Sequence, residues 1–261
     1  MPDISLIMNF HAEDVLAHWS LLGFQRMREF ASHHGVSVQL VAVLDRASQT
    51  TRRIVRQHPI LREGDKVLQV EHGDLGLSRN AGIDSADAST VGVLDGDDYC
   101  SANWLVEALQ VVSEKGNGVV VHPEYTVSHG ACHLLGRSVD QLSEDYPVES
   151  CFKHHPWVSV AVAEKAVFQE LPYLETRVGK SGFGYEDWHW NLEVIASGRK
   201  HTLASGTCLF YRRKEASMLA AMGALNAVVR PGRFFDGRCF DHYPASPGPG
   251  RHMPAAAAPH R

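Results

Sequence analysis

No Cys-x-x-Cys pair occurs in this chain, and its five cysteines are odd in number. Both facts argue against a disulfide framework or a zinc knuckle and fit a reducing compartment. No apolar run approaches the roughly 18 residues of a membrane-spanning helix. The apolar stretch 4–8 is too short for the core of a signal peptide and runs straight into polar residues. The expected location is the cytoplasm, with the inner face of a membrane as the alternative, because peripheral contact needs no spanning helix. Basic charge is not in excess: 25 Lys and Arg stand against 30 Asp and Glu, a net charge of −5. A nucleic-acid partner, which would call for a basic stripe, is therefore not expected. Arg52, Arg53, Arg56 and Arg62 cluster, but their neighbours are ordinary and they read as a solvated helix face. Two nucleotide signatures are missing as well. No G-x-G-x-x-G follows the first strand, and no G-x-x-x-x-G-K-[ST] occurs anywhere. A bound phosphate would then call for another device, such as a metal held by carboxylates.

What is present is an ordinary globular composition, 44% hydrophobic and 21% charged, long enough for one large domain or two small ones. The first half alternates. Strands are predicted over 4–9, 37–44, 66–70, 90–94 and 118–121, and helices over 13–33, 50–57, 77–86 and 103–115. Near-continuous apolar strands between helices indicate a mostly parallel central sheet covered on both faces. In the first helix Val15, Trp19, Leu22, Met27 and Phe30 are predicted to face the core. The second half is less regular. Short strands are predicted over 125–128, 133–135, 158–163, 201–204 and 208–212, some antiparallel, which gives a smaller mixed region. A polar loop or short helix is expected over 138–149, and helices over 165–170, 185–197 and 216–229. The glycine-rich stretch 177–184 reads as a mobile loop. Residues 230–261 read as a tail, disordered from 246 on.

In open α/β sheets ligands bind beyond the carboxyl ends of the strands. Those ends carry Asn9, Asp45, Glu71 with His72, and Asp95. The fourth strand runs into Asp95-Gly96-Asp97-Asp98, three carboxylates in four positions. Their mutual repulsion is relieved by a cation, and hard divalent ions favour such oxygen ligands. An Asp/Gly turn leading out of a strand is the plainer reading of the same residues. A second focus is Gly182-Phe183-Gly184-Tyr185-Glu186-Asp187-Trp188-His189-Trp190. Its two acids either favour a helix N-terminus or include a general base. Trp188 or Trp190 would stack on a sugar or pack in the core. His154-His155-Pro156 lies in the half expected to face an acceptor, whereas His189 and His201 read as packing or surface residues.

Three segments, in order, carry a family resemblance. Asp95-Gly96-Asp97-Asp98, preceded by Leu77-Ser78-Arg79-Asn80-Ala81-Gly82, resembles the D-x-D region of family 2 glycosyltransferases with the GT-A fold. Tyr185-Glu186-Asp187-Trp188, followed by Leu192 and Gly198, is similar to that family's Glu-Asp motif. Tyr211-Arg212-Arg213-Lys214, with Ser217-Met218 close behind, resembles its Y-R-x-H-x-x-S segment. The likeness runs from about Ile4 to Met218.

The resemblance implies a Rossmann-like GT-A domain over 1–229, with a nucleotide-binding half at 1–122 and an acceptor half at 123–229. It implies an inverting transfer of one sugar from a nucleotide-diphosphate sugar, dependent on Mn²⁺ or Mg²⁺. Asp97 and Asp95 would hold the metal, with Asp95 also near the ribose. Asn9, Asp45, Arg79, Asp95, Arg212 and Lys214 would line the donor, Asp45 at the base or ribose and Lys214 at the diphosphate. Asp187 would be the catalytic base, supported by Glu186. The acceptor would be a glycan or lipid-linked glycan, in surface polysaccharide or lipopolysaccharide assembly.

Departures from the family pattern sharpen these expectations. The first strand ends Met8-Asn9-Phe10-His11 rather than Pro-Thr-Tyr-Asn. The second ends Leu44-Asp45-Arg46-Ala47-Ser48 rather than Asp-Asp-Gly-Ser. Lys214 stands where a histidine is usual, and a charged lysine has no lone pair for a metal. The Q-x-x-R-W segment of processive synthases is missing, so a non-processive enzyme is expected. Two alternatives remain: a non-catalytic nucleotide- or glycan-binding member, and another metal-dependent enzyme such as a nucleotidylyltransferase or an Asp-based phosphatase.

Overall fold

The computed structural model describes residues 1–143, 148–152, 154–214 and 217–236. Its first strand, β1 (Ile4–Phe10), is buried along its whole length. It lies parallel between β2 (Val38–Asp45) and β4 (Thr90–Asp95), and β3 (Lys66–Val70) extends the sheet beyond β2. Helices cover both faces, which is why these strands need no polar side. On one face, α1 (Val15–His33) and α4 (Trp104–Lys115) pack Leu21, Phe24 and Trp104 against Leu6, Met8 and Leu40. On the other, α3 (Leu75–Ser85), α5 (Lys165–Glu170) and α7 (Glu186–Ala196) pack Ile83, Phe168 and Trp190 against Ile7, Val43 and Val93. A short helix, α2 (Gln49–Gln57), connects β2 and β3 and packs beside α1. Gly82 sets the spacing of α3: a Cβ there would run into Ile7 and Val43 on the sheet.

The sheet continues with β5 (Tyr99–Cys100), β6 (Val119–Gly130), β7 (Leu134–Arg137), β8 (Ala161–Glu164) and β10 (Lys200–Arg213). The strand order is β3-β2-β1-β4-β8-β6-β10-β5, with β7 paired to β6. The β8 strand is antiparallel to β4, and β6 and β10 are parallel to one another. Because β2 and β3 lie on one side of β1 and β4 on the other, the connection reverses between β1 and β4. That is the switch point at which α/β sheets take ligands. Asn9 and Asp95 are register partners there.

Several sequence expectations are corrected. Val15 and Trp19 are more than half exposed; the buried stripe of α1 is Ala17, Leu21, Phe24, Met27 and Ala31. Both stripes have helical spacing, so periodicity alone does not choose between them. The stretches 118–121 and 125–128 form one strand, β6, and 201–204 and 208–212 form another, β10, with a bulge between Ala204 and Cys208. Pro123 lies inside β6 where its partner changes from β8 to β7, a place that tolerates the missing N–H. The helix expected over 216–229 is α8 (Met218–Ala224), and residue 216 lies outside the described residues. Asn226, at φ 50, ends it. The chain then forms β11 (Val228–Val229), paired with β9 (Phe183–Gly184). The glycine-rich stretch 177–184 contains α6 (Val178–Ser181) and β9. The expected tail begins packed, with Phe234 fully buried against Cys151, Trp157 and Leu192. Residues from 237 on, and 144–147 of the expected 138–149 loop, lie outside the described residues.

Candidate active site

At the end of β4 the chain turns sharply through the three acids. Gly96 lies so close to β1 that a Cβ would collide with the Asn9 carbonyl and the Phe10 ring. The Asp98 N–H donates to the Asp95 carbonyl (3.2 Å) and closes the turn. Each acid then has its own partner. Asp98 is buried, and its Oδ1 accepts from the Arg212 N–H (2.7 Å), which fastens the turn to β10. Burial, with Asp97 and Asp95 alongside, pushes its carboxyl well above the usual range. Asp97 meets the Lys214 ammonium at 2.6 Å, and the Arg212 Nε donates to its carbonyl at 3.2 Å. Asp95 accepts from Arg79 at 2.8 Å through one oxygen and from the Ser159 hydroxyl at 2.9 Å through the other.

Arg79 is the joint of the site. It rises from α3, is almost wholly buried, and forks between Asp95 and Glu186, each at 2.8 Å. The Tyr173 ring lies 5.3 Å from its guanidinium carbon. The helix that carries it is well anchored. Asp74 caps α3 by accepting from Leu77 N–H at 3.0 Å, and its other oxygen takes the Thr176 N–H at 2.8 Å. Asp45 braces the same loop, accepting from Gly73 N–H (2.9 Å), Asp74 N–H (3.1 Å) and the Ser78 hydroxyl (2.7 Å). Its carboxylate thus faces protein donors, at the carboxyl end of β2.

Glu186 and Asp187 open α7, and Tyr185 before them takes a left-handed conformation at φ 56. Their environments differ. Glu186 is 5% exposed, and burial pushes its carboxyl up to about 7 against the pull of Arg79, with Asp187 adding to the rise. Asp187 is 24% exposed at its side chain. One of its oxygens accepts from the Trp188 N–H at 2.8 Å; the other lies 3.8 Å from His155 Nδ1. His155 stacks on Trp188 and its Nε2 lies 2.6 Å from the Asn191 amide. Burial lowers the His155 pKa, which favours the neutral ring. Trp190 belongs to the core, with its indole N–H on the Leu171 carbonyl.

The raised Glu186 carboxyl has a measurable consequence. The folded chain holds this proton more tightly than the unfolded chain, whose reference value is 4.5. Stability from this group therefore falls as pH rises from about 4.5 to about 7. In Glu186→Gln that fall is absent. Urea unfolding across this window should show the variant gaining stability relative to the parent as pH rises.

The structure brings Asn9, Arg79, Asp95, Asp97, Arg212, Lys214, Glu186 and Asp187 to one end of the sheet. Asn9 is 5% exposed, and neither atom of its side-chain amide has a hydrogen-bond partner among the described residues. An orphaned amide at the switch point suits a ligand that completes it. A resident Mn²⁺ or Mg²⁺ fits less well. Asp95 is taken up by Arg79 and Ser159, Asp98 is turned to β10, and Asp97 carries an ammonium. Among the described residues, no three His, Cys, Asp or Glu side chains gather as a ligand set. The sequence reading did not single out Asp74, Ser159 or Tyr173. Asp74 had a signal, as an N-cap type before a helix; Ser159 and Tyr173 had none.

The family model Glycosyl transferase family 2 matches residues 35–130, the stretch holding Asp45, Arg79 and the acid turn. Over these residues the chain is similar to the family 2 glycosyl transferases. The Glu186–Asp187 pair and the end of β10 lie beyond the matched stretch, and the fold joins them to it. Solved structures agree on the GT-A fold of this domain. S. aureus TarS 1-349 in complex with UDP-GlcNAc matches with a TM-score of 0.64 at 16% identity, covering 84% of this chain and 61% of that one. The UDP complex of the same TarS fragment gives 0.61 at 16% identity, covering 81% and 61%. The fragment without a named ligand gives 0.58 at 17% identity, covering 92% and 72%. The chain thus spans about three-fifths of the length of the complexes it matches. No curated protein matches it.

Proposed function

We propose that this domain transfers one sugar from a nucleotide-diphosphate sugar to a hydroxyl acceptor, with inversion and without processivity. One observation carries the reading. Arg79 ties the acid turn at the donor switch point to the helix that presents Asp187, at 2.8 Å on both sides. Donor and acceptor motifs about ninety residues apart in sequence therefore share one site. The UDP-GlcNAc complex of TarS, alike in fold, supports a nucleotide sugar as donor. The orphaned Asn9 amide supports a ligand at β1.

In this reading the nucleotide lies along the ends of β1 and β4, in the 1–122 half. Its diphosphate faces Lys214 and Arg212. Asp187, the more exposed of the two acids, takes the proton from the acceptor hydroxyl as that oxygen attacks the anomeric carbon. The bond to the diphosphate breaks on the opposite face, so one displacement inverts the centre. Glu186, tied to Arg79, holds the start of α7 in register with the acid turn. The acceptor, a glycan or lipid-linked glycan, approaches past His155 and Trp188. In this reading a lipid-linked acceptor is met at the cytoplasmic face of the membrane; no described helix is long and apolar enough to cross one.

A panel of nucleotide sugars, read by thermal shift, tests the proposal. At a hundred times its Kd, a true donor adds about 2.7 kcal/mol of stability and raises the melting temperature visibly. No shift with any donor, with or without Mn²⁺ or Mg²⁺, overturns it.

A further inference from the structure

We propose that Lys214 is the resident cation of the donor site: its ammonium, anchored by Asp97, binds the diphosphate and makes a divalent ion dispensable. This rests on the nucleotide-sugar reading above and concerns what holds the phosphates.

The observations come from the end of β10. The Arg212 N–H on Asp98 fixes the strand end against the acid turn. The Ala131 N–H on the Arg213 carbonyl fixes it on the opposite side, at 3.0 Å. Lys214 follows directly and reaches Asp97 Oδ2 at 2.6 Å, while its side chain stays 37% exposed. An ammonium has three donors and no acceptor. One meets Asp97, and a side chain 37% exposed can offer another to a ligand. Lysine binds phosphate as a point charge in this manner.

The same contacts disfavour a divalent ion. An ion on Asp97 would have to displace the ammonium or lie beside it, with like charges in close approach. Asp95 cannot readily supply the second ligand, because its oxygens serve Arg79 and Ser159. Each acid of the turn thus already has a partner supplied by the chain: Arg79 for Asp95, Lys214 for Asp97 and the Arg212 N–H for Asp98.

Calorimetry on the full chain, with UDP and GDP as probes, tests this. Binding to the parent should differ by less than about threefold between EDTA and Mn²⁺, a change well under 1 kcal/mol. Lys214→Met should weaken binding in EDTA about 10- to 100-fold, the worth of a charge-assisted hydrogen bond. Lys214→Arg should recover most of that loss, which separates charge from folding, and melting curves report the fold directly. Lys214→His should bind UDP tightly only with Mn²⁺, with the free-ion resonance signal falling as the ion is taken up. Binding by the parent only in Mn²⁺, or unchanged binding in Lys214→Met, overturns this inference and leaves the glycosyl-transfer reading intact. No binding of either nucleotide under either condition overturns both.

Discussion

Replacing Asp187 by Asn lowers sugar transfer by about 10²- to 10⁴-fold, the usual contribution of a positioned general base, and leaves donor binding unchanged. The substitution keeps shape. The remaining amide oxygen still accepts from the Trp188 N–H, so α7 keeps its first turn. What is lost is the basic carboxylate that, in the proposed mechanism, takes the acceptor proton. Asp187 is chosen over Glu186 on geometry: Glu186 is buried and faces Arg79, whereas Asp187 is the more exposed and neighbours a neutral His155. Transfer rates and donor Kd, measured on the same preparation, decide the matter. Near-normal transfer in Asp187→Asn would remove it from the mechanism.

The second large effect is on stability. Arg79→Leu should cost on the order of 3–5 kcal/mol, because it strands two carboxylates that shared one buried cation. The cost depends on pH. At pH 5 the parent's Glu186, its carboxyl pushed up to about 7, holds a proton and draws little from Arg79; at pH 8 it is ionised and depends on that cation. The loss should therefore be larger at pH 8, and adding Glu186→Gln to Arg79→Leu should recover part of it there. Urea unfolding of the single and double variants at both pH values measures this. A cost below about 0.5 kcal/mol at pH 8, the level of an ordinary surface substitution, would mean that the fork does not bear on the fold.

Much of this architecture can be read from local pattern. A parallel-sheet strand is buried on both faces, so β1, β2 and β4 stand out as short apolar runs between helices. Strand ends are equally legible, since a polar residue after such a run lies at the sheet's rim; Asn9, Asp45 and Asp95 were found in this way. Helix faces are harder. The α1 stripe is shifted because Trp19 and Leu21 both fit a helical period, and only the neighbouring elements decide which one is covered. The length of α8 turned on a single Asn that enters the left-handed region.

By itself, then, the sequence determined the α/β class, the strand ends that carry acids, and the order of the three motifs. Tertiary structure alone decided what each charged group does. Arg79 reaches Glu186 across 107 positions, and Lys214 reaches Asp97 from the far end of β10. Asp98 became a latch on Arg212, and Asp45 a brace for the Arg79 helix. The reason is physical. Secondary structure follows from side-chain periodicity over a few residues. A charge's role depends on which opposite charge the packed sheet brings within about 3 Å of it, the range of a hydrogen-bonded pair. At the acid turn the sequence shows three neighbouring carboxylates, and the fold brings Arg79 to Asp95 and Lys214 to Asp97.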